Sequence, residues 1–385
     1  MRMRRSFDWF LFLPMVALVA IGTIAIWSAG NARAEAVFHG MWFGNLTTAG
    51  VGLLLYLVLA AVDYRKTIAF LSVPAFVLAL LFLVAVLFLG TEQFGGKRWL
   101  WFFQPSEISK LCVIALFAWV FGGGFAWTRG FRGFLLSCAL LGLPVALILA
   151  EPDLGTALTL APAGLVMMFA ARVWRRGFVT IAALGGIAAL LLLGAVHEAW
   201  KPGMPTERRE RILRFVPLKP HQVKRVRVFL FPDADAMGAG YNLRQARISI
   251  GSGGLTGKGI GKGETNHLKY LPQVISMNDF IFCVFAEEAG FVGSAILLLL
   301  FGVLLLSCCR VAIRADDGCG RLFALGFATL LFAHVYVNIA MSVGLVPITG
   351  LPLPFISSGR TFLITVLCGL GLVQSISIHR KENIR

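Results

Sequence analysis

The chain has 385 residues, 58% of them hydrophobic and 14% charged, and its mean hydropathy is +0.81. Soluble domains run near ~45–50% apolar and ~25% charged, so a soluble enzyme is excluded. The formal charge of +16 would suit a nucleic-acid binder, but membrane chains gather Lys and Arg on their cytoplasmic side, so position decides and no nucleic acid is expected.

Apolar blocks of about 20 residues, enough to cross a ~30 Å hydrocarbon layer at 1.5 Å per residue, recur at 8–29, 41–62, 68–90, 105–123, 132–150, 155–172, 177–197, 280–308, 320–346 and 355–378. They predict an all-α membrane protein of ten transmembrane helices. The whole of 1–385 then forms a single polytopic membrane domain, with one long hydrophilic connection at 198–279 between spans seven and eight. The first block sits between a basic Met1–Arg5 and an Ala32-Arg33-Ala34 that resembles a cleavage site. Its apolar run exceeds the ~7–15 residues of a signal core, so it is read as a retained span.

Orientation follows from the short connections. With the N-terminus cytoplasmic, sixteen Lys and Arg fall inside, from Arg2, Arg4 and Arg5 to Arg380, Lys381 and Arg385. Only Arg33, Lys97, Arg98 and Arg360 fall outside, and Lys110 lies within a span. Both termini are therefore expected in the cytoplasm. The connection 198–279 then lies outside and carries fourteen Lys and Arg against seven acidic residues, Asp279 included. Long loops translocate regardless of charge, so this excess asks either for an anionic partner or for nothing beyond solvation. The seven cysteines lie in or beside apolar blocks without CxxC spacing, which indicates neither a disulfide framework nor a metal site.

Ionisable groups in or beside spans are costly and mark candidate sites. Glu107 and Lys110 in Gln104-Pro-Ser-Glu-Ile-Ser-Lys110 share a helix face and can pair, as structure or as chemistry. In Glu151-Pro-Asp-Leu-Gly-Thr156, Asp153 is placed to cap the next helix. Lys97 and Arg98, flanked by aromatics, read as an interfacial anchor or a phosphate clamp. Asp279 heads a span, where a helix dipole favours its ionised form or where it simply caps. At 100° per residue Glu287 lies about 80° from Asp279 and Glu288 about opposite, so at most one shares its cavity. The glycine-rich Gly251–Gly263 fits neither a P-loop nor a dinucleotide fingerprint. It leaves flexible backbone with two lysines that could approach phosphate or merely turn.

In this order the motifs resemble the RodA/FtsW family (shape, elongation, division and sporulation) of bacterial peptidoglycan glycosyltransferases over nearly the whole chain. The carriers are Gly96-Lys-Arg-Trp99, Gln104–Lys110, Glu151–Thr156, Arg225 ahead of Phe229, Gly238-Ala-Gly-Tyr-Asn242, Ile250–Leu255, Asp279-Phe-Ile-Phe282 with Ala286-Glu-Glu288, Asn338–Met341 and Thr349–Ser357. Gly257-Lys-Gly259 leans to the RodA branch. Two departures stand out: the family usually has His-Thr before the aspartate, here Met277-Asn278, and Tyr-Gly-Gly after the proline-rich motif, here Ser358-Gly-Arg360.

The resemblance implies that lipid II, a disaccharide-pentapeptide on undecaprenyl pyrophosphate, is polymerised into β-1,4-linked glycan at the outer face of the membrane during cell elongation. It also implies a class B penicillin-binding protein as transpeptidase partner and Asp279 as the catalytic residue. Inverting glycosyl transfer needs a base for the attacking hydroxyl and stabilisation of the leaving group, and a pyrophosphate can be clamped by cations instead of protonated. On this reading Asp279 is the general base and Lys97, Arg98, Arg225 and Lys258 hold the pyrophosphate, while Glu107, Lys110 and Asp153 line and shape a polar cavity. No cofactor is expected, since the pyrophosphate bond supplies the driving force, although a divalent cation could help neutralise it. The rival reading is a lipid II flippase, since intramembrane charges serve a permeation path equally well.

Overall fold

The computed structural model describes the chain except residues 1–6, 32–39, 94–95, 102, 124–129, 152, 202, 217–219, 233–234, 236–237, 265–270, 273–275 and 381–385, and except the side chains of residues 92, 93, 96, 97, 175 and 221. The Ala32-Arg33-Ala34 motif and the terminal arginines therefore lie outside the described residues. So does the side chain of Lys97, whose backbone is placed.

The helices are α1 (Trp9–Asn31), α2 (Met41–Ala61), α3 (Tyr64–Leu89), α4 (Pro105–Gly122), α5 (Phe131–Ala150), α6 (Leu154–Ala170), α7 (Arg175–Ala199), α8 (Thr206–Arg214), α9 (Pro220–Leu230), α10 (Ala239–Ser252), α11 (Ile281–Arg314), α12 (Gly318–Val343) and α13 (Arg360–Ile378). Nine of those described are long and apolar enough to cross a membrane, and α6, predicted as a full span, is a shorter apolar helix of 17 residues. Proline inside α1, α3, α5 and α6 is tolerated because neighbouring helices re-satisfy the freed backbone groups.

Burial orders the bundle. α4, α12 and α13 are covered over most of their length, whereas α7 is almost wholly exposed along its apolar surface, as a peripheral helix facing lipid would be. α2 lies along α13, α3 along α4, and α11 against both α1 and α12. One apolar core runs from Leu11 to Ile376. At one end of the bundle Asp63 and Asp317 cap α3 and α12, and Arg65 Nε and Tyr64 Oη reach Asp317 Oδ2 at 2.7 and 2.5 Å. That end is tied by paired charges.

Two elements depart from the sequence reading. The connection after α3 forms a small antiparallel hairpin, β1 (Thr91–Gln93) with β2 (Gly96–Trp99), Thr91 opposite Trp99. The long connection also holds three helices: α8 is strongly charged with no buried residue, while α9 and α10 turn Val223, Val226, Leu243 and Ala246 inward. α10 packs on α11, and a second small core of Ala246, Leu271, Phe280 and Cys283 joins them. α11 runs past the predicted 280–308 to Arg314 and is kinked at Gly290, whose φ of 67° only glycine adopts without strain. A Cβ there would stand 2.3 Å from Gly257 N, so the glycine-rich turn packs directly against the kink.

Candidate active site

Asp279 lies at the end of the bundle away from the paired charges, just before α11. Its backbone is tightly held. Asn338 Nδ2 on α12 donates to Asp279 O at 3.0 Å and to Leu351 O at 2.7 Å, joining the α12–α13 connection to the aspartate. One residue earlier, Asn278 O accepts from Ser357 Oγ at 2.6 Å and Asn278 Oδ1 from Ser358 Oγ at 2.6 Å. The two segments that depart from the family pattern are thus in contact with each other.

The carboxylate, by contrast, is open. α11 takes Phe280 as its N-cap with no side-chain capping bond, so the plain capping role foreseen for Asp279 is not the one it plays. Among the described residues no hydrogen bond reaches its carboxylate oxygens. Its neighbours are cations: burial pushes the carboxyl up to about 6, with Arg225 and Arg98 pulling the other way. Gly350 separates the groups. A Cβ built there would stand 3.5 Å from Asp279 Oδ2 and 3.8 Å from Arg225 Nη2, and its φ of 77° suits only glycine. Glycine leaves the gap between carboxylate and guanidinium clear.

Arg225 is carried by α9, and its Nη1 donates to Thr349 O at 2.7 Å. Burial and the nearby Arg98 charge depress its pKa, against Asp279 and Asp153, which raise it. Arg98 reaches the same group from β2. Asp153 accepts from Thr156 N at 3.1 Å, Thr156 Oγ1 at 2.8 Å and Gln104 Nε2 at 3.0 Å, so it caps α6 and ties it to the start of α4. Beside it Glu151 is 1% exposed, and neither of its carboxyl oxygens has a hydrogen-bond partner among the described residues. Burial, then the Asp153 charge, pushes its pKa up to about 8, with Arg98 opposing. Arg98, Glu151, Asp153, Arg225 and Asp279 form one electrostatic cluster drawn from four places in the chain.

Of the other predicted site features, the Glu107–Lys110 pair adjoins that cluster, since the Asp153 charge acts on Glu107, whereas Lys258 is engaged elsewhere. Glu107 and Lys110 form a buried ion pair at 2.7 Å, and Lys110 Nζ also lies 2.9 Å from His334 Nε2 and 4.8 Å from the Phe362 ring centre. Lys110 has no exposed surface, so the pair is locked between α4, α12 and α13. Lys258, expected to help hold the pyrophosphate, is engaged by acidic side chains. Its Nζ meets the buried Glu287 Oε1 at 2.8 Å and Glu264 Oε2 at 3.4 Å, and Glu287 raises its pKa. Glu288 accepts from Ser28 Oγ at 2.5 Å. Both glutamates hold the glycine-rich turn onto α11, and neither serves Asp279. Arg360, noted as an added outer cation, lies against Gly44 of α2, where a Cβ would meet its Nη2 at 2.5 Å.

Sequence reasoning gave no role to Glu151, His334, Asn338 or Thr349. His334 and Asn338 are four apart and share a helix face, a signal that was available.

The family profile FTSW_RODA_SPOVE, described as cell cycle protein, matches residues 8–382. The chain is 34% identical over 376 residues to the peptidoglycan glycosyltransferase MrdB of Escherichia coli (strain K12), covering 96% of this chain and 93% of that one. It resembles a chain solved in a peptidoglycan synthase complex, in work on its coordination of polymerization and crosslinking, with TM-score 0.74 and 30% identity over 98% of this chain and 99% of that one. The rod shape determining protein RodA of Thermus thermophilus matches at TM-score 0.65 and 29% identity, again over 98% and 99%.

Proposed function

The chain belongs to the FTSW_RODA_SPOVE family of cell cycle proteins and is a multi-pass peptidoglycan glycosyltransferase, and from this premise we propose that it polymerises lipid II with Asp279 as general base. The single observation that carries the reading is a positionally fixed aspartate whose carboxylate, among the described residues, is neither a cap nor an ion-pair partner, facing Arg225 across Gly350. An aspartate raised to about 6 is ionised at neutral pH yet more basic than an ordinary one, which suits proton abstraction from a sugar hydroxyl.

In this mechanism the acceptor hydroxyl gives its proton to Asp279 while its oxygen attacks the anomeric carbon of the donor from the face opposite the pyrophosphate. The anomeric configuration inverts and a β-1,4 bond forms. Arg98 and Arg225, with Lys97 from the same hairpin, hold the departing pyrophosphate as its charge develops. Asp153 and the Glu107–Lys110–His334 group fix the helices around the site. Lys258 braces the glycine-rich turn and has no contact with substrate.

The reaction takes place at the outer face of the inner membrane with both termini cytoplasmic and a class B penicillin-binding protein as partner, in cell elongation. Phe7, Asp8, Trp9 and Phe10 line one cavity with Ile376, Ser377 and Arg380, and this closeness of the start of α1 to the end of α13 supports the reading. The experiment reconstitutes the full chain in vesicles with labelled lipid II, with and without its cognate penicillin-binding protein. Wild type should yield glycan chains. Asp279→Asn should leave lipid II intact on the outer leaflet while the protein stays folded and partner-bound; polymerisation near the wild-type rate would remove Asp279 from the role.

A further inference from the structure

At the end of the bundle away from Asp279, the start of α1 and the ends of α11 and α13 enclose a cavity of about 230 Å³. Its walls are of two kinds: Arg310, Arg314 and Arg380 bring positive charge, while Trp9, Phe10 and Ile376 bring apolar surface. Among the described residues the one carboxylate in the lining, Asp8, is already taken. Arg310 Nη2 reaches its two oxygens at 2.5 and 2.6 Å, and the same guanidinium lies 4.9 Å from the Phe10 ring centre. Arg314 and Arg380, in contrast, make no hydrogen bond or ion pair among the described residues.

We propose that this cavity binds the phosphate head group of an anionic phospholipid from the leaflet facing the termini, with the acyl chains running along Trp9 and Phe10. Three features select that ligand. Two unpaired guanidiniums beside a third suit a phosphate, which arginine binds in bidentate fashion, and basic pockets between helices on this side are a known form of head-group site. A zwitterionic head group would bring an ammonium with no carboxylate left to receive it, since Asp8 is consumed. A free phosphate would leave the apolar half of the wall unused, whereas Trp9 and Phe10, 57% and 61% exposed, offer a lipid-facing path for chains. Favourable helix-dipole interactions at the ends of α11 and α13 could account for lone cations, but not for cations gathered around a cavity with an apolar rim.

The test uses the full chain in neutral detergent, with phospholipid binding followed by native mass spectrometry. Wild type should retain phosphatidylglycerol at least about tenfold more tightly than phosphatidylcholine. Arg314→Gln and Arg380→Gln should each weaken phosphatidylglycerol roughly fivefold, about 1 kcal/mol per cation near the surface. Arg176→Gln, an exposed inner-face arginine outside the cavity, should leave binding unchanged, and glycerol phosphate should compete poorly. Equal retention of both lipids by wild type would overturn the proposal, and that comparison needs no variant to fold. An Arg176→Gln loss as large as the others would reduce the effect to general surface charge, and competition by glycerol phosphate at lipid-like strength would remove the phospholipid in favour of a free anion.

Discussion

Asp153 and Asp279 stand at the heads of two helices on one face of the bundle and look alike in sequence, an aspartate just before an apolar run. Their surroundings are opposite. Asp153 has its carboxylate filled by Thr156 and Gln104, and so fixes α6 against α4. Asp279 has its main-chain carbonyl fixed by Asn338 while its carboxylate is left to the field of Arg225 and Arg98. A carboxylate whose acceptor sites are filled serves as a post; one whose backbone is pinned and whose oxygens are open is available as a reagent.

The largest effect that can break this comparison is the pair of substitutions taken together. Asp279→Asn should cost at least about 100-fold in polymerisation, the range for removal of a general base, with no loss of thermal stability, because a buried ionisable group has been neutralised. Asp153→Ala should do the reverse: it loses an N-cap, about 0.5–2 kcal/mol, and the bond that ties Gln104 to α6, so the unfolding midpoint drops while activity per folded molecule falls far less. If Asp153→Ala silences a fully folded enzyme, the division between post and reagent fails.

Arg225→Gln comes next. It should lower kcat/KM about 10- to 100-fold, as loss of a charge stabiliser does, and it should also move the pH dependence. Arg225 lowers the Asp279 pKa, so its removal should shift the acid limb of the rate profile to higher pH. A loss of rate with an unmoved acid limb would place Arg225 on the substrate alone.

Much of this was legible in the sequence. Span positions followed from apolar length, because the bilayer fixes that length whatever the packing. Asp279, Arg98 and Asp153 were legible as candidates because a charge beside an apolar block is rare and needs a reason, whereas Arg225, inside the hydrophilic connection, was picked out only by the family resemblance. What stayed hidden depends on partners distant in the chain. Lys258 read as a free cation because Glu287, 29 residues on, could not be placed opposite it before the kink at Gly290 was known. Glu151 stood in a recognised motif, but only burial with both oxygens unpaired distinguishes it from a surface acid. The helices of the long connection were missed because their apolar positions are few and face α11 rather than lipid.

Glu151 sharpens the comparison through pH. Activity should rise as Asp279 ionises through about pH 6 and fall as Glu151 ionises through about pH 8, where a second negative charge would appear beside Asp153. Both groups have pKa values raised above the ordinary carboxylate range. The stability they contribute is therefore complete below that range and is lost as pH rises through about 6 and then about 8. Glu151→Gln should abolish the alkaline limb of rate and stability and leave the acid limb in place. An alkaline limb that survives in that variant would have to come from another group.

The smallest effect expected is the contact between Asn278 and Ser358, and it tests how the aspartate's backbone is held. These residues stand at the two positions where the chain departs from its family's pattern, and their side chains share a 2.6 Å hydrogen bond. A buried or half-buried bond of this type contributes about 1 kcal/mol, so Asn278→Ala and Ser358→Ala should each lower stability by about that amount and slow polymerisation a few-fold by loosening Asp279. The decisive measurement is the double variant. If the bond is the shared cause, the two losses overlap by roughly 0.5–1.5 kcal/mol in a double-mutant cycle, and the KM of the variants stays near wild type because no substrate contact has been touched. Strictly additive losses would mean that each residue acts through a different neighbour, and that the two departures arose for separate reasons.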